Sequence, residues 1–217
     1  MTSSPTRKTA LVFGGSRGIG AAAALRLAQD GYAVALTYVS SPGKAEAVAA
    51  RIRDAGGEAV ARQADSADAD AIAEAVAKTV ELYGPLDAVV VNAGVLRIAT
   101  IDAWTADDFD RMLDVNLRGV FLAIQAATAR MRDGGRVITI GSNSAERPIT
   151  PGGGVYAMTK AAVAALVKGA ALDLAPRRIT VNNIQPGPTR TDMTSDMTAK
   201  LEAMSPLRRI GQPDEIA

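Results

Sequence analysis

The sequence contains no cysteine and no histidine. The first absence excludes disulfides, thiol nucleophiles and cysteine-held metals. The second removes the commonest general base and with it the Ser-His-Asp triad. Proton chemistry therefore falls to Tyr, Lys, Asp or Glu. Metal sites built from carboxylates alone are left open, but no cluster of that kind stands out, and none is expected. Aromatic residues are only 4% of the chain, which argues against a pocket that stacks on large flat ligands. Charge of one sign is not in excess: 24 Lys and Arg face 23 Asp and Glu, for a net +1. Nothing in that balance points to nucleic acid or an anionic membrane. No stretch approaches the roughly 18 uninterrupted apolar residues of a transmembrane helix. The opening run from Met1 to Lys8 lacks the apolar core and cleavage site of a secretory signal, and cytoplasm is the expected location.

What is present fits one domain spanning residues 1–217. The chain is 48% hydrophobic and 22% charged, enough to bury a full core. Short apolar runs alternate with longer amphipathic ones. Strands are expected at 9–13, 33–38, 59–64, 86–91, 136–140 and 179–185. Helices are expected at 18–30, from Pro42 to the Gly56-Gly57 pair, from the vicinity of Ser66 to Gly84-Pro85, from Thr105 to about Met131, and at 155–174. Ser41, Ser66 and Thr105 are the expected N-caps, with Asp68 and Asp70 in the first turn of the third helix. This alternation predicts an α/β fold: a doubly wound parallel sheet between two helical layers, the three-layer Rossmann arrangement with right-handed crossovers. The run from Gly211 to Ala217 reads as the start of another helix, and the sequence is expected to be shortened there.

Chemistry concentrates at the strand ends. Phe13-Gly14-Gly15-Ser16-Arg17-Gly18-Ile19-Gly20 joins the first strand to the first helix. Glycines there permit a tight turn and close approach to a pyrophosphate, and the helix N-terminus offers N–H donors to it. Cofactor-binding candidates in this turn are Gly14, Ser16, Arg17, Gly18, Ile19 and Gly20. An NAD enzyme places Asp or Glu at the end of the second strand. Here that position is about Tyr38, followed by Val39, Ser40 and Ser41, so no carboxylate is present to repel a 2′-phosphate. Arg17 and Lys44 are cations suited to one, and NADP(H) is expected over NAD(H). Asp65 and Ser66 end the third strand on the adenine side, and Asn92-Ala93-Gly94 ends the fourth. Finally, Tyr156 and Lys160 are four residues apart in an expected helix. That is about one turn, which puts phenol and ammonium on the same face. A nearby positive charge favours the phenolate, one route to a tyrosine general acid/base.

Taken in order, these motifs resemble those of the short-chain dehydrogenase/reductase family, in particular the 3-oxoacyl-(acyl-carrier-protein) reductases, from about Lys8 to Ala217. The family's glycine motif usually begins Thr-Gly. Phe13 replaces that Thr, and a hydrogen bond that orders the turn is expected to be lost. The resemblance implies four catalytic residues: Asn116, Ser142, Tyr156 and Lys160. Tyr156 would exchange a proton with the substrate oxygen. Lys160 would lower the Tyr156 pKa and bind the nicotinamide ribose, so both also count as cofactor-binding. Ser142 would hold the substrate oxygen, and Asn116 a water leading from Lys160. Ser142 lies fourteen residues before Tyr156 and Ser144 twelve; Ser142 is favoured and Ser144 stays open. Pro186, Gly187, Thr189 and Thr191 match the loop that clasps the nicotinamide, with a mobile substrate lid from Met193 onward. The family usually adds a further helix and seventh strand, and a homotetramer is the implied assembly. The substrate would be a small-molecule carbonyl compound or alcohol, in a pocket drawn from 95–98, 145–155 and 191–207. The alternative reading is a regulator that binds a phosphorylated effector through Arg17, Lys44 and Arg147 without turnover.

Overall fold

The computed structural model describes residues 7–148 and 150–217. Six parallel strands form one sheet: β1 Lys8–Phe13, β2 Tyr32–Tyr38, β3 Ala59–Gln63, β4 Leu86–Val91, β5 Met131–Ile140 and β6 Thr180–Ile184. Their order is β3-β2-β1-β4-β5-β6. From β1 the chain winds outward through β2 and β3, then returns to the other side of β1 through β4, β5 and β6. The reversal between β1 and β4 leaves a crevice at the carboxyl ends of the strands, where this class of sheet binds ligands. β1 is buried from Thr9 to Phe13 and β4 from Ala88 to Val91, as expected of central parallel strands covered on both faces.

Two apolar clusters lie on opposite faces of the sheet. Helices α1 Gly18–Gln29 and α2 Pro42–Asp54 cover one face, packing Ala24, Ala45, Val48 and Ile52 onto Val12, Val34 and Leu36. Helix α3 Ala69–Tyr83, the long helical run from α4 Ala106–Leu113 into α5 Gly119–Ala129, and α6 Gly154–Leu174 cover the other. Leu11, Phe13, Val89 and Val137 point into that layer. Helix α6 and the turn after it are long and apolar enough to cross a membrane by length and composition, at a mean hydropathy of 1.4. In the fold, α6 buries Val163 and Val167 against the sheet and carries the buried Lys160.

The cap of the third helix and the course of the helix after Thr105 are corrected. Helix α3 is capped by Asp68, whose Oδ1 accepts from Asp70 N at 2.9 Å and Ala71 N at 3.1 Å. Ser66 is instead buried in the turn after β3. The helix after Thr105 does not run unbroken to Met131. Thr105 caps it, but residues Asp114–Arg118 form a π turn between α4 and α5. The α5 helix ends at Ala129, and β5 begins at Met131 with a register irregularity before Arg136. Gly134 takes a positive φ of 81° in that stretch. The terminal run forms a short 3-10 turn at Pro213–Glu215, with Gln212 and Glu215 making a reciprocal cap. Ahead of it, a 3-10 turn Asp192–Met197 leads into α7 Thr198–Met204.

Candidate active site

The crevice at the switch point is a cleft of ≈ 300 Å³ running from the glycine turn to Tyr156. Its floor is the β1–α1 turn. Gly14 adopts a φ of +74°, and a Cβ there would come within 2.9 Å of the Ala93 backbone. A Cβ at Gly20 would run into the Gly14 carbonyl and sit 2.5 Å from Asn92 Nδ2. These positions are filled by glycine because the backbone of two strand ends meets there. The turn is well ordered despite Phe13, whose side chain is buried in the core. Thr37, on the neighbouring strand, also ties the turn: its Oγ1 accepts from Gly14 N at 3.0 Å. Asn92 Nδ2 donates to Gly14 O at 2.7 Å, and Asn92 N and Ala93 N both donate to Phe13 O. Thr37 is a residue of this turn that the sequence did not point to.

Most expected cofactor residues line this cleft. Gly14, Ser16, Arg17, Gly18 and Ile19 come from the glycine turn, and Tyr38, Ser40 and Ser41 from the end of β2. Ser66, Asn92 and Ala93 line its middle; Pro186, Gly187, Thr189 and Thr191 close the far wall. Gly20 and Gly94 stand behind the lining. A Cβ at Gly94 would lie 3.4 Å from Asn116 Oδ1 and 3.6 Å from Lys160 Nζ. Asp65 also lies outside the lining. Its carboxylate accepts from Ala67 N at 2.9 Å and pairs with Arg111 at 3.1 Å, so it braces the β3 turn. Of the expected substrate segments, Leu96, Ile98, Pro148, Thr150 and Gly153 face the cleft, and so do Met193, Met197 and Leu201. Glu146 and Arg147 are exposed and do not line it. Ile149, within the expected segment 145–155, lies outside the described residues.

Ser142, Tyr156 and Lys160 converge at one end. Ser142 follows β5 and is 8% exposed; its Oγ accepts from Ser144 N at 3.1 Å. Tyr156 sits in the first turn of α6, with Lys160 one turn on. The Lys160 ammonium is 5.6 Å from the centroid of the Tyr156 ring and donates to Ile140 O at 2.9 Å. Burial lowers the Lys160 pKa to about 8. Burial raises the Tyr156 pKa, partly offset by a hydrogen bond with the Ser142 side chain. For the phenol, desolvation is the larger influence, and the hydrogen bond with Ser142 opposes it. Ser144 spends its backbone N–H orienting Ser142, while Ser142 is the serine beside the phenol.

Asn116 is fully buried in the π turn. Its Oδ1 accepts from Val95 N at 2.8 Å and its Nδ2 donates to Val95 O at 2.9 Å. It clamps the loop after β4 and stands behind Gly94, next to Lys160. The extra residue of a π turn rotates a side chain relative to an α-helix, and such turns recur at functional sites. Asn116 needs the inward aim, and α5 needs the room: a Cβ at Gly119 would run into the Ser66 carbonyl.

The comparisons agree with this geometry. A family model described as short chain dehydrogenase matches residues 8–202. The chain is 41% identical to a 3-oxoacyl-[acyl-carrier-protein] reductase, FabG, of Staphylococcus aureus, over 97% of this chain and 87% of that one. A short-chain dehydrogenase/reductase from Serratia marcescens superposes with a TM-score of 0.94 at 49% identity, covering 98% of this chain and 89% of the other. A short chain dehydrogenase from Burkholderia cenocepacia, solved in complex with NADP, gives 0.93 at 45% identity, over 96% and 86%. With the switch-point cleft, the glycine turn and the Ser142–Tyr156–Lys160 cluster, these matches establish that the chain belongs to the short-chain dehydrogenase/reductase family of oxidoreductases.

Proposed function

We propose that the protein is an NADP(H)-dependent oxidoreductase acting on a carbonyl group or its secondary alcohol, with Tyr156 as the general acid/base. The carrying observation is the convergence of Ser142, Tyr156 and Lys160 at one end of a cleft whose other end is the glycine turn. The cleft fits a dinucleotide: Gly14 and Gly20 keep its floor free of side chains, and α1 presents its N-terminus there. Ser16, Gly18 and Ile19 would hold the pyrophosphate, Ser66 and Asn92 the adenosine side, and Gly187, Thr189 and Thr191 the nicotinamide end. Arg17 and Lys44 flank Ser40 and Ser41 and supply positive charge for a 2′-phosphate, with no carboxylate at the end of β2 to oppose it. The NADP found in the Burkholderia relative supports the same choice.

The bound nicotinamide supplies or accepts the hydride. In the reductive direction the Tyr156 phenol donates its proton to the substrate oxygen. Ser142 Oγ donates a hydrogen bond to the same oxygen and stabilises the charge that develops on it. Lys160, protonated below about pH 8, balances the phenolate left behind. Asn116 holds the β4 loop so that Gly94 leaves room for the Lys160 ammonium. The small-molecule substrate would enter beside Leu96, Ile98 and Met193. The regulatory alternative is not favoured: binding an effector requires neither Tyr156 nor Lys160, and Arg147 stands away from the cleft.

The direct test is oxidation of NADPH with a panel of ketones and 3-oxoacyl thioesters, with NADH in parallel. Turnover with NADPH identifies the reductase and its substrate class. Faster turnover with NADH overturns the role given to Arg17 and Lys44, and binding without turnover on the whole panel returns weight to a regulator.

A further inference from the structure

Asp192 opens the 3-10 turn that borders the cleft, immediately after Thr191. Its Oδ2 accepts from Lys44 Nζ at 2.7 Å and lies 3.5 Å from Arg17 Nη1. One carboxylate oxygen therefore holds the two cations assigned above to the 2′-phosphate. Arg17 comes from the glycine turn and Lys44 from the start of α2, whereas Asp192 comes from 148 residues beyond Lys44. The contact has a second anchor. Thr191 packs on the glycine turn so closely that a Cβ at Gly18 would lie 3.0 Å from its Cγ2. The segment that borders the substrate end is thus tied to the phosphate end by an ion pair and a packed side chain.

A carboxylate and a phosphate offer a guanidinium and an ammonium the same chemistry, anionic oxygens at hydrogen-bond distance. The side chains of Arg17, Lys44 and Asp192 are 54%, 56% and 56% exposed. Ion pairs this open to solvent are weak, so a phosphate carrying more charge displaces the carboxylate. We propose that Asp192 is a specificity-determining internal competitor for the cofactor's 2′-phosphate. It occupies Arg17 and Lys44 in the cofactor-free protein and yields them when a 2′-phosphate arrives, releasing the ion-pair anchor between the segment 192–204 and the glycine turn. A cofactor without that phosphate leaves the bridge closed. This inference rests on the reading of Arg17 and Lys44 as the 2′-phosphate cations.

The test uses adenosine 2′,5′-bisphosphate and adenosine 5′-monophosphate, which lack the nicotinamide half and so isolate the phosphate's effect. Affinities are measured by calorimetry for the full chain and for Asp192→Asn, Lys44→Ala and the double variant. Tryptic cleavage after Lys200 follows the segment. Asp192→Asn should bind the bisphosphate about threefold to tenfold more tightly, the scale of one or two exposed ion pairs, with the monophosphate unchanged. Most of that gain should vanish in the double variant. The bisphosphate, but not the monophosphate, should speed cleavage after Lys200 in the unaltered protein. If the unaltered protein prefers the bisphosphate but Asp192→Asn does not tighten it, the competition is wrong and the cofactor reading stands. Equal tightening of both nucleotides also overturns the competition. No preference for the bisphosphate in the unaltered protein overturns both.

Discussion

At the scale of single residues, Tyr156 and Lys160 make opposite demands on their surroundings. Tyr156→Phe removes the proton donor while keeping the ring's packing, so turnover should fall by about 10²–10⁴-fold. The NADPH dissociation constant, measured by fluorescence titration, should stay within about threefold. A parallel loss of binding would mean that the phenol anchors the cofactor instead. Lys160 is 5% exposed, and its pKa falls from 10.5 to about 8 on burial. Between those values the unfolded chain holds a proton that the folded one has released, so stability rises with pH in that window. Below pH 8 both states are protonated and the full cost of the buried ammonium is present. Cofactor-free protein should therefore gain about 2 kcal/mol between pH 8 and 10 relative to Lys160→Met, at no more than about 1.4 kcal/mol per pH unit. Tyr156, whose pKa is raised, works against this only above its ordinary value near 10. Urea unfolding at the two pH values checks the difference, and an equal slope in both proteins would show that the ammonium is better solvated than its burial implies. The Tyr156–Lys160 pair and Ser142 were legible in the sequence because each sits at a fixed offset from a strand end or a helical turn. Thr37 and Asp192 were not, because their partners are far off in the chain and only the folded sheet brings them together.

At the scale of elements, the π turn at Asp114–Arg118 is the local feature that the site depends on. Asn116→Ala would leave both Val95 N–H and Val95 C=O without their partner, at a cost of roughly 1–3 kcal/mol for polar groups shut away from water. Because the same loop carries Gly94 beside Lys160, kcat should fall more than the loss of stability explains, and the pH profile of turnover should shift as the ammonium's surroundings open. Asn116→Asp keeps the acceptor for Val95 N but loses the donor for Val95 O, so it should lie between the two. An Asn116→Ala protein with full activity and only lowered stability would reduce Asn116 to a brace. The sequence showed a helix through Val115-Asn116-Leu117 but not the π turn, since apolar spacing looks nearly the same with one residue inserted. It showed the start of α3 two residues too early, because Ser66 and Asp68 are both good caps and only burial of Ser66 at the cleft decides between them. Gly20 belongs to this scale as well. Gly20→Ala forces a methyl into the Gly14 carbonyl and should weaken dinucleotide binding by at least about tenfold, as the turn can relieve the clash only by opening its hydrogen bonds to Asn92.

At the scale of the whole molecule, the alternation of apolar runs was enough to predict a doubly wound sheet. A strand must pair and a helix must cover it, and right-handed crossovers leave few arrangements. The strand order and the meeting of residues from Arg17 to Asp192 around one cleft depend on long-range packing that periodicity does not encode. That cleft joins the halves of the fold: its lining draws on the β1–α1 turn, the end of β2, the ends of β4 and β5, and the segment from Pro186 to Leu201. A ligand filling it touches both sides of the switch point, so its binding energy opposes unfolding of the molecule rather than of one loop. At a hundred times its dissociation constant NADPH should add about 2.7 kcal/mol. For a chain of this size that is a rise in Tm of about 5–10 °C. NADH at the same concentration should give a smaller rise, because it lacks the phosphate that engages Arg17 and Lys44. In Asp192→Asn the gap between the two cofactors should widen, since only NADPH has to displace the carboxylate. Thermal melts of both proteins with each cofactor separate these effects. If NADH and NADPH stabilise equally, the cationic pair faces solvent and the dinucleotide is held by the glycine turn and nicotinamide loop alone.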